Sequence, residues 1–274
     1  MSYIKLVASD LDGTLLTKSA TLTEENHRAS SEMTARGIQF LPTTGRALSE
    51  VPDSVRNHPS VEYIISSDGA NITNLRTGEV ITRELSASIA RKVYKIVRKY
   101  PFFTTAHIKG EAYIDPEMLN YEKLVELGVS PYYIELFDGL ATPLPNFDEA
   151  MSKGEETEMI ACFSGNDEAL DSCLKELSRI EGIHTTRSTS GEIEIISDKA
   201  GKGNSLLLFA AMKNIHPSEI IVAGDSMNDI SMFHVAGLSI AAPRAIDAVR
   251  REATKAMSAE DGGVAEFILN NYCN

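Results

Sequence analysis

Two short acidic stretches hold the residues best able to do chemistry. Asp10-Leu11-Asp12-Gly13-Thr14 sets two carboxylates one residue apart in a turn that Gly13 keeps open. Gly224-Asp225-Ser226-Met227-Asn228-Asp229 offers Asp225, Asn228 and Asp229 as hard oxygen donors of the kind that suit magnesium. Carboxylates gathered in one crevice repel each other, and such a group calls for a cation. Taken singly, the first stretch also reads as a plain Asp/Gly turn and the second as a solvated helix cap. Two weaker signals accompany them. Thr44-Gly45-Arg46 places a hydroxyl and a backbone N–H beside a glycine, a combination able to hold phosphoryl oxygens or simply to turn the chain. Lys202 lies in Lys199-Ala200-Gly201-Lys202-Gly203, where it could neutralise a phosphate or stand as a solvated charge at a helix start. It is not a Walker A lysine, because Ile196 occupies the place of that loop's first Gly and Gly203 the place of its Ser/Thr. The six histidines are scattered without an HxxxH pair, and none is assigned to metal or catalysis.

The elements around these residues decide between the readings. Tyr3 to Ser9 is a short apolar run that ends at Asp10 and predicts a buried strand, parallel because it does not alternate. Thr23 caps a predicted helix with Glu24 and Glu25 in its first turn and Gly37 as its stop. A strand from Ile38 to Leu41, a helix from Leu48 to Asn57 and a strand from Tyr63 to Ser66 follow. This alternation predicts a doubly wound α/β sheet, in which ligands bind beyond the carboxyl ends of the strands. Asp10 and Thr44 fall at such ends, and Asp225 does so after the predicted strand Glu219 to Ala223.

Between these halves the rhythm changes. Asn71 to Arg83 reads as a hairpin around Thr77-Gly78, Ser86 to Tyr100 as a helix, and Phe102 to Ile114 as two strands joined near Lys109-Gly110. Tyr132 to Glu156 shows no clear period, and Asp138-Gly139 reads as a turn. Met159 to Ser164, Glu168 to Ile180 and Gly191 to Ile196 read as strand, helix and strand. The expectation is an α+β domain over residues 84–195, inserted into a discontinuous α/β core of residues 1–83 and 196–274.

Composition sets outer limits. Apolar residues at 43% and charged residues at 24% are ordinary for globular chains. A net charge of −13 disfavours nucleic acid and anionic membrane as partners, and it requires a cation or local Lys/Arg wherever a phosphate binds. Cys162, Cys173 and Cys273 form no CxxC pair and imply neither a disulfide framework nor structural zinc. The early charge at Lys5 does not fit a signal peptide, and no apolar run reaches the length of a membrane span. The expectation is a soluble, acidic cytoplasmic protein with no readable oligomeric state.

DxDGT, a Thr after the second strand, a Lys before a helix and GDxxND, in that order, resemble the haloacid dehalogenase (HAD) superfamily. TGR, the Asp68-Gly69-Ala70 stretch after the third strand, the insertion that follows it and Gly-Lys-Gly before a helix are similar to the Cof-type branch. The resemblance implies a Rossmann-like core with an inserted α+β cap of the C2 kind. Asp68 departs from it, since the branch usually carries Asn-Gly-Ala there, and it adds a negative charge at the rim of a phosphate site.

The resemblance also implies a mechanism. Asp10 is the nucleophile on phosphorus and Asp12 the general acid and base. Magnesium is held by Asp10, the Asp12 carbonyl and Asp225, with Asn228 or Asp229 supporting that shell. Thr44, Gly45 and Lys202 bind the phosphoryl group, Arg46 is a candidate substrate contact, and the cap selects a sugar, nucleotide or cofactor phosphate. Two rivals remain: a phosphotransferase or mutase of the same superfamily, which would share Asp10 and Asp12, and a non-catalytic phosphate- or metal-binding module, against which the intact Asp10, Asp12, Lys202 and Asp225 argue.

Overall fold

The computed structural model describes residues 3–187 and 191–273, apart from the side chains of residues 132 and 136–138. Two compact units make up the chain, one of residues 1–45, 51–81 and 201–274, the other of residues 46–50 and 82–200.

The first unit starts with β1 (Leu6–Ser9), buried along its whole length. Helix α1 (Glu24–Ala35) is capped by Thr23, whose Oγ1 accepts from the Asn26 amide at 3.2 Å, and carries Glu24 and Glu25 where the positive end of the helix dipole favours them. β2 (Gln39–Pro42) lies parallel to β1. The helix predicted over Leu48 to Asn57 is broken into a 3₁₀ turn, Leu48–Glu50, and the short α2 (Asp53–Arg56). Pro52 explains the break, since it has no N–H to donate and disfavours helical geometry at Val51. β3 (Tyr63–Ser66) touches β2 through parallel bridges at Phe40↔Val61 and Thr43↔Ile65. It then joins β4 (Asn71–Asn74) and β5 (Val80–Thr82) in a three-stranded sheet.

The second unit is α+β. Helix α3 (Ala87–Val97) precedes the hairpin of β6 (Phe103–Ile108) and β7 (Glu111–Ile114). Lys109 and Gly110, at φ 53° and 80°, give that hairpin the left-handed pair its tight turn needs. Helix α4 (Tyr121–Glu126) precedes the stretch without a clear period, which is occupied by α5 (Pro131–Leu140), β8 (Thr142–Pro143) and α6 (Phe147–Lys153). Asp138 and Gly139 lie inside α5 and form no turn. The helix escaped the sequence reading because Pro131 starts it, as proline can at a first turn, and its apolar residues do not fall into one stripe. β9 (Met159–Phe163), α7 (Asp167–Leu177), β10 (Ile183–Thr186) and β11 (Glu192–Ser197) complete the unit. The sheet runs β10-β11-β9-β6-β7-β8. One face packs Ile160, Cys162, Ile193 and Ile195 against Val93 and Val97 of α3 and Leu170, Cys173 and Leu177 of α7. Each such buried aliphatic chain contributes about 1.5–3 kcal/mol.

The chain then returns to the first unit. α8 (Lys202–Met212), β12 (Ile220–Gly224), α9 (Ile230–Phe233), β13 (Leu238–Ala241), α10 (Asp247–Glu252), β14 (Lys255–Ala256) and α11 (Val264–Tyr272) follow in order. The resulting sheet has the order β14-β13-β12-β1-β2, and its pairs are parallel. Leu6, Ala8, Leu41 and Val222 from the sheet meet Leu206 and Phe209 of α8. This is the doubly wound α/β core that the alternation predicted. From β1 the chain goes to β2 on one side and later returns to β12 on the other. That reversal opens a crevice at the carboxyl end of β1. No helix among the described residues is long and apolar enough to cross a membrane.

Candidate active site

Asp10 and Asp225 are neighbours because their strands are neighbours. β1 and β12 pair with Ser9 opposite Ala223, and the Asp10 amide donates to the Ala223 carbonyl at 3.0 Å. Each carboxylate therefore leaves its strand at the same level of the sheet.

The turn after Asp10 lets them converge. Leu16 N–H reaches back to the Leu11 carbonyl at 2.8 Å, closing a wide loop with Gly13 at its apex and at φ 77°. A Cβ on Gly13 would fall 2.0 Å from Asp225 Oδ2, so a side chain there would displace that carboxylate. Thr14 donates from Oγ1 to Asp225 Oδ1 at 3.4 Å. Asp12 is half-buried in this turn and adds its charge to those of Asp10 and Asp225.

Lys202, the first residue of α8, is buried with 1% exposure and holds two carboxylates at once. Its Nζ is 2.7 Å from Asp10 Oδ1 and 2.7 Å from Asp229 Oδ1. Burial alone would pull the ammonium down, but Asp10, Asp229 and Asp68 outweigh it and hold Lys202 well above its usual range. Asp229 has a second task. Its Oδ2 accepts from the amides of Asp225 at 2.9 Å and Ser226 at 3.0 Å, locking the turn that presents Asp225. Ser226 and Asp229 form a capping box, a pattern visible in the sequence as Ser-x-x-Asp. The positioning role of Asp229 was thus available from spacing alone, but its bridge to Lys202 was not.

Carboxylate oxygens of Asp10, Asp225 and Asp229 lie within 4.8 Å of one another. Burial first, and then Asp229, push the Asp225 carboxyl up to about 6, with Lys202 pulling the other way. Burial also raises Asp10 strongly; Lys202 opposes this, while Asp229, Asp225 and Asp12 add to it. The crevice holds more negative charge than Lys202 can balance.

Thr44 is buried beyond β2, with its amide on the Ile65 carbonyl at 2.9 Å and its carbonyl taking the Asp68 amide at 3.1 Å. Gly45 follows it, half-buried, as the last residue of this segment of the first unit. Arg46 groups with the second unit instead, where it is buried and donates from Nη1 to the Glu50 carbonyl at 2.8 Å. Asn228 is buried beside Asp229, and its Oδ1 has no protein partner. Asp68 is buried in a left-handed turn, with φ 50°, and burial pushes its carboxyl up to about 6 against the pull of Lys202.

Comparison with known proteins agrees with this architecture. The family model for haloacid dehalogenase-like hydrolases matches residues 7–268. A Bacillus subtilis (strain 168) protein named 5-amino-6-(5-phospho-D-ribitylamino)uracil phosphatase YwtE is 29% identical, with 97% of each chain covered. Among solved structures, a haloacid dehalogenase-like hydrolase from B. subtilis superposes with a TM-score of 0.83 at 23% identity, covering 98% of this chain and 100% of that one. The HAD subclass IIB sugar phosphatase BT4131 superposes with a TM-score of 0.80 at 16% identity, covering 97% of this chain and 98% of that one. At those identities the structural likeness speaks for the fold, and the family model that spans nearly the whole chain carries the assignment. With the paired acidic turns at the ends of β1 and β12, it places the chain in the haloacid dehalogenase-like hydrolase family.

Proposed function

We propose that this protein is a magnesium-dependent phosphatase of small phosphorylated metabolites that works through a phosphorylated Asp10. One observation carries the reading: buried Asp10, Lys202 and Asp229 and half-buried Asp225 meet in a single cluster at the switch point of the sheet.

The donor set fits a hard divalent cation, because carboxylate oxygens from three residues already lie within 4.8 Å and their repulsion stays uncompensated by Lys202 alone. Asp10 and Asp225, with the Asp12 carbonyl, would hold it, while Asp229 is committed to Lys202 and two amides and acts as their support. A bound magnesium ion supplies charge neutralisation, which lets a carboxylate approach a phosphate.

The chain's own residues do the rest. Asp10 attacks phosphorus and forms an aspartyl phosphate as the P–O bond to the alcohol breaks. Asp12 protonates the departing oxygen, then takes a proton from the water that hydrolyses the phosphoenzyme. Lys202 and the Thr44-Gly45 segment stabilise charge on the equatorial oxygens. The lysine is preorganised for this because Asp229 holds its ammonium in place.

The test is hydrolysis of p-nitrophenyl phosphate with magnesium, with EDTA, and by Asp10→Asn. Turnover in wild type that EDTA abolishes and Asp10→Asn lacks supports the reading. Full activity in Asp10→Asn sinks the mechanism. A panel of sugar, nucleotide and cofactor phosphates then ranks substrates, and the ribitylamino-uracil phosphate named for the B. subtilis relative belongs in it.

A further inference from the structure

Three consecutive residues after β3 take left-handed backbone: Ser67 at φ 49°, Asp68 at 50° and Gly69 at 88°. Such runs are uncommon outside Gly, Asn and Asp, and they hold only where surroundings fix them. Here both flanks do. The Asp68 amide donates to the Thr44 carbonyl at 3.1 Å, and the Asp68 carbonyl accepts from the Gly201 amide at 3.0 Å. Ser205 donates from Oγ to the Gly69 carbonyl at 2.5 Å. A Cβ on Gly69 would fall 2.4 Å from the Gly201 carbonyl and 2.8 Å from the Lys202 nitrogen. The turn is a rigid spacer between the two segments that hold the phosphoryl group in the reading above.

Its charged side chain points inward. Asp68 is 2% exposed and hydrogen-bonds Asn228, while its Oδ1 has no protein partner to spread its charge. Three carboxylates, Asp10, Asp229 and Asp68, act on the single ammonium of Lys202. Asp10 and Asp229 touch it; Asp68 acts through space. In a buried setting such a field is screened far less than at a surface. Asp68 thus sets one more negative charge against Lys202 than the two carboxylates that touch it.

We propose that Asp68 is a counter-charge to Lys202, which loosens the core's grip on the phosphoryl group and strengthens its attraction for a divalent cation. Phosphate retention then depends on the cation more than on the lysine, and the product leaves more readily. The inference rests on the phosphatase reading for its phosphate half, and its cation half stands apart from turnover.

The experiment compares wild type with Asp68→Asn at pH 8 and low salt by calorimetric titration. Asparagine tolerates the left-handed geometry and keeps the bond to Asn228. Asp68→Gly, which also suits that backbone, serves if the first variant does not fold. Inorganic phosphate is titrated in EDTA, and magnesium is titrated alone. Removing the charge should tighten phosphate about tenfold and weaken magnesium about three- to tenfold, opposite shifts that a purely structural role cannot produce. Parallel weakening of both ligands, or no change in either, overturns the proposal. Wild type without magnesium-dependent p-nitrophenyl phosphate turnover overturns the phosphatase reading instead, while the magnesium titration still decides the role of Asp68.

Discussion

Lys202 and Asp229 form a fully buried ion pair, with Nζ 2.7 Å from Oδ1 and exposures of 1% and 0%. The second oxygen of Asp229 accepts the amides of Asp225 and Ser226. One carboxylate thereby fixes both the Lys202 ammonium and the turn that presents Asp225. A buried pair of this kind adds little net stability, but breaking one partner away leaves a stranded charge.

Lys202→Met therefore has two expected consequences. It leaves Asp10 and Asp229 without their cation, which should lower stability by about 3–5 kcal/mol in urea unfolding without metal. It also removes charge stabilisation from the transferring group, with an expected fall in kcat of at least about 100-fold. Retained turnover in a folded Lys202→Met protein contradicts the role given to the lysine.

Gly13→Ala and Gly78→Ala make a matched pair. Both glycines have left-handed φ, 77° and 75°, so each alanine should cost about 1–2 kcal/mol in backbone strain. Only at Gly13 does the new Cβ meet Asp225 Oδ2, at 2.0 Å, whereas nothing lies within 4 Å at Gly78. Gly13→Ala should weaken magnesium at least about tenfold and depress activity in step, as a displaced carboxylate ligand requires. Gly78→Ala should leave both unchanged. Equal effects of the two variants on magnesium affinity would show that strain, and not the position of Asp225, is what matters.

Magnesium should stabilise the protein by filling a site whose carboxylates repel. With magnesium at 100 times its dissociation constant the expected gain is about 2.7 kcal/mol, read as a rise in Tm over the EDTA sample. Asp225→Asn removes one ligand and should abolish most of that rise. In EDTA the same variant should be no less stable than wild type, since Asp225 is charged there against burial and the Asp229 carboxylate. A full magnesium-dependent rise in Asp225→Asn excludes Asp225 as a ligand.

Acid sensitivity should come in part from the second unit. His107 is buried in β6, and burial pushes its imidazole down to about 3. Glu50 Oε2 is 3.8 Å from its Nε2, too far for a hydrogen bond to offset that burial, so the ring is neutral in the fold. The unfolded chain takes up a proton near pH 6.5 that the folded chain refuses until about pH 3. Stability from this residue is present above pH 6.5 and declines as pH falls through that window, by about 2 kcal/mol at pH 5. His58 in the first unit is lowered too, by burial and by His27, and adds to the same slope. Urea unfolding at pH 7.5 and pH 5 should show a smaller loss in His107→Gln than in wild type. An identical loss in both assigns the acid sensitivity to other groups.

Much of the fold was readable along the chain. Buried apolar runs marked β1 and β12, Thr23 marked the start of α1, and Lys109-Gly110 marked the hairpin of β6 and β7. These are local signals, because burial pattern, capping and turn geometry act over a few residues. The nearness of Asp10 and Asp225 followed from them once both stood at the ends of parallel strands. Where local signals conflict, the reading failed. Pro52 split one predicted helix, and the aromatic-rich α5 has no stripe to betray it.

Only the tertiary structure decided how the charges are shared. That Lys202 bridges Asp10 and Asp229, that Asp229 spends its other oxygen on two amides, and that Asp68 lies close enough to oppose the lysine depend on segments far apart in the chain. The placement of residues 46–50 with the second unit is of the same kind, since the Ser49 amide finds its acceptor at Gly110. A sequence names which groups can carry charge, and strand ends say where they emerge. Which lone pair meets which donor is set by packing, because electrostatic energy falls with distance and rises with burial, and neither is encoded by residue type alone.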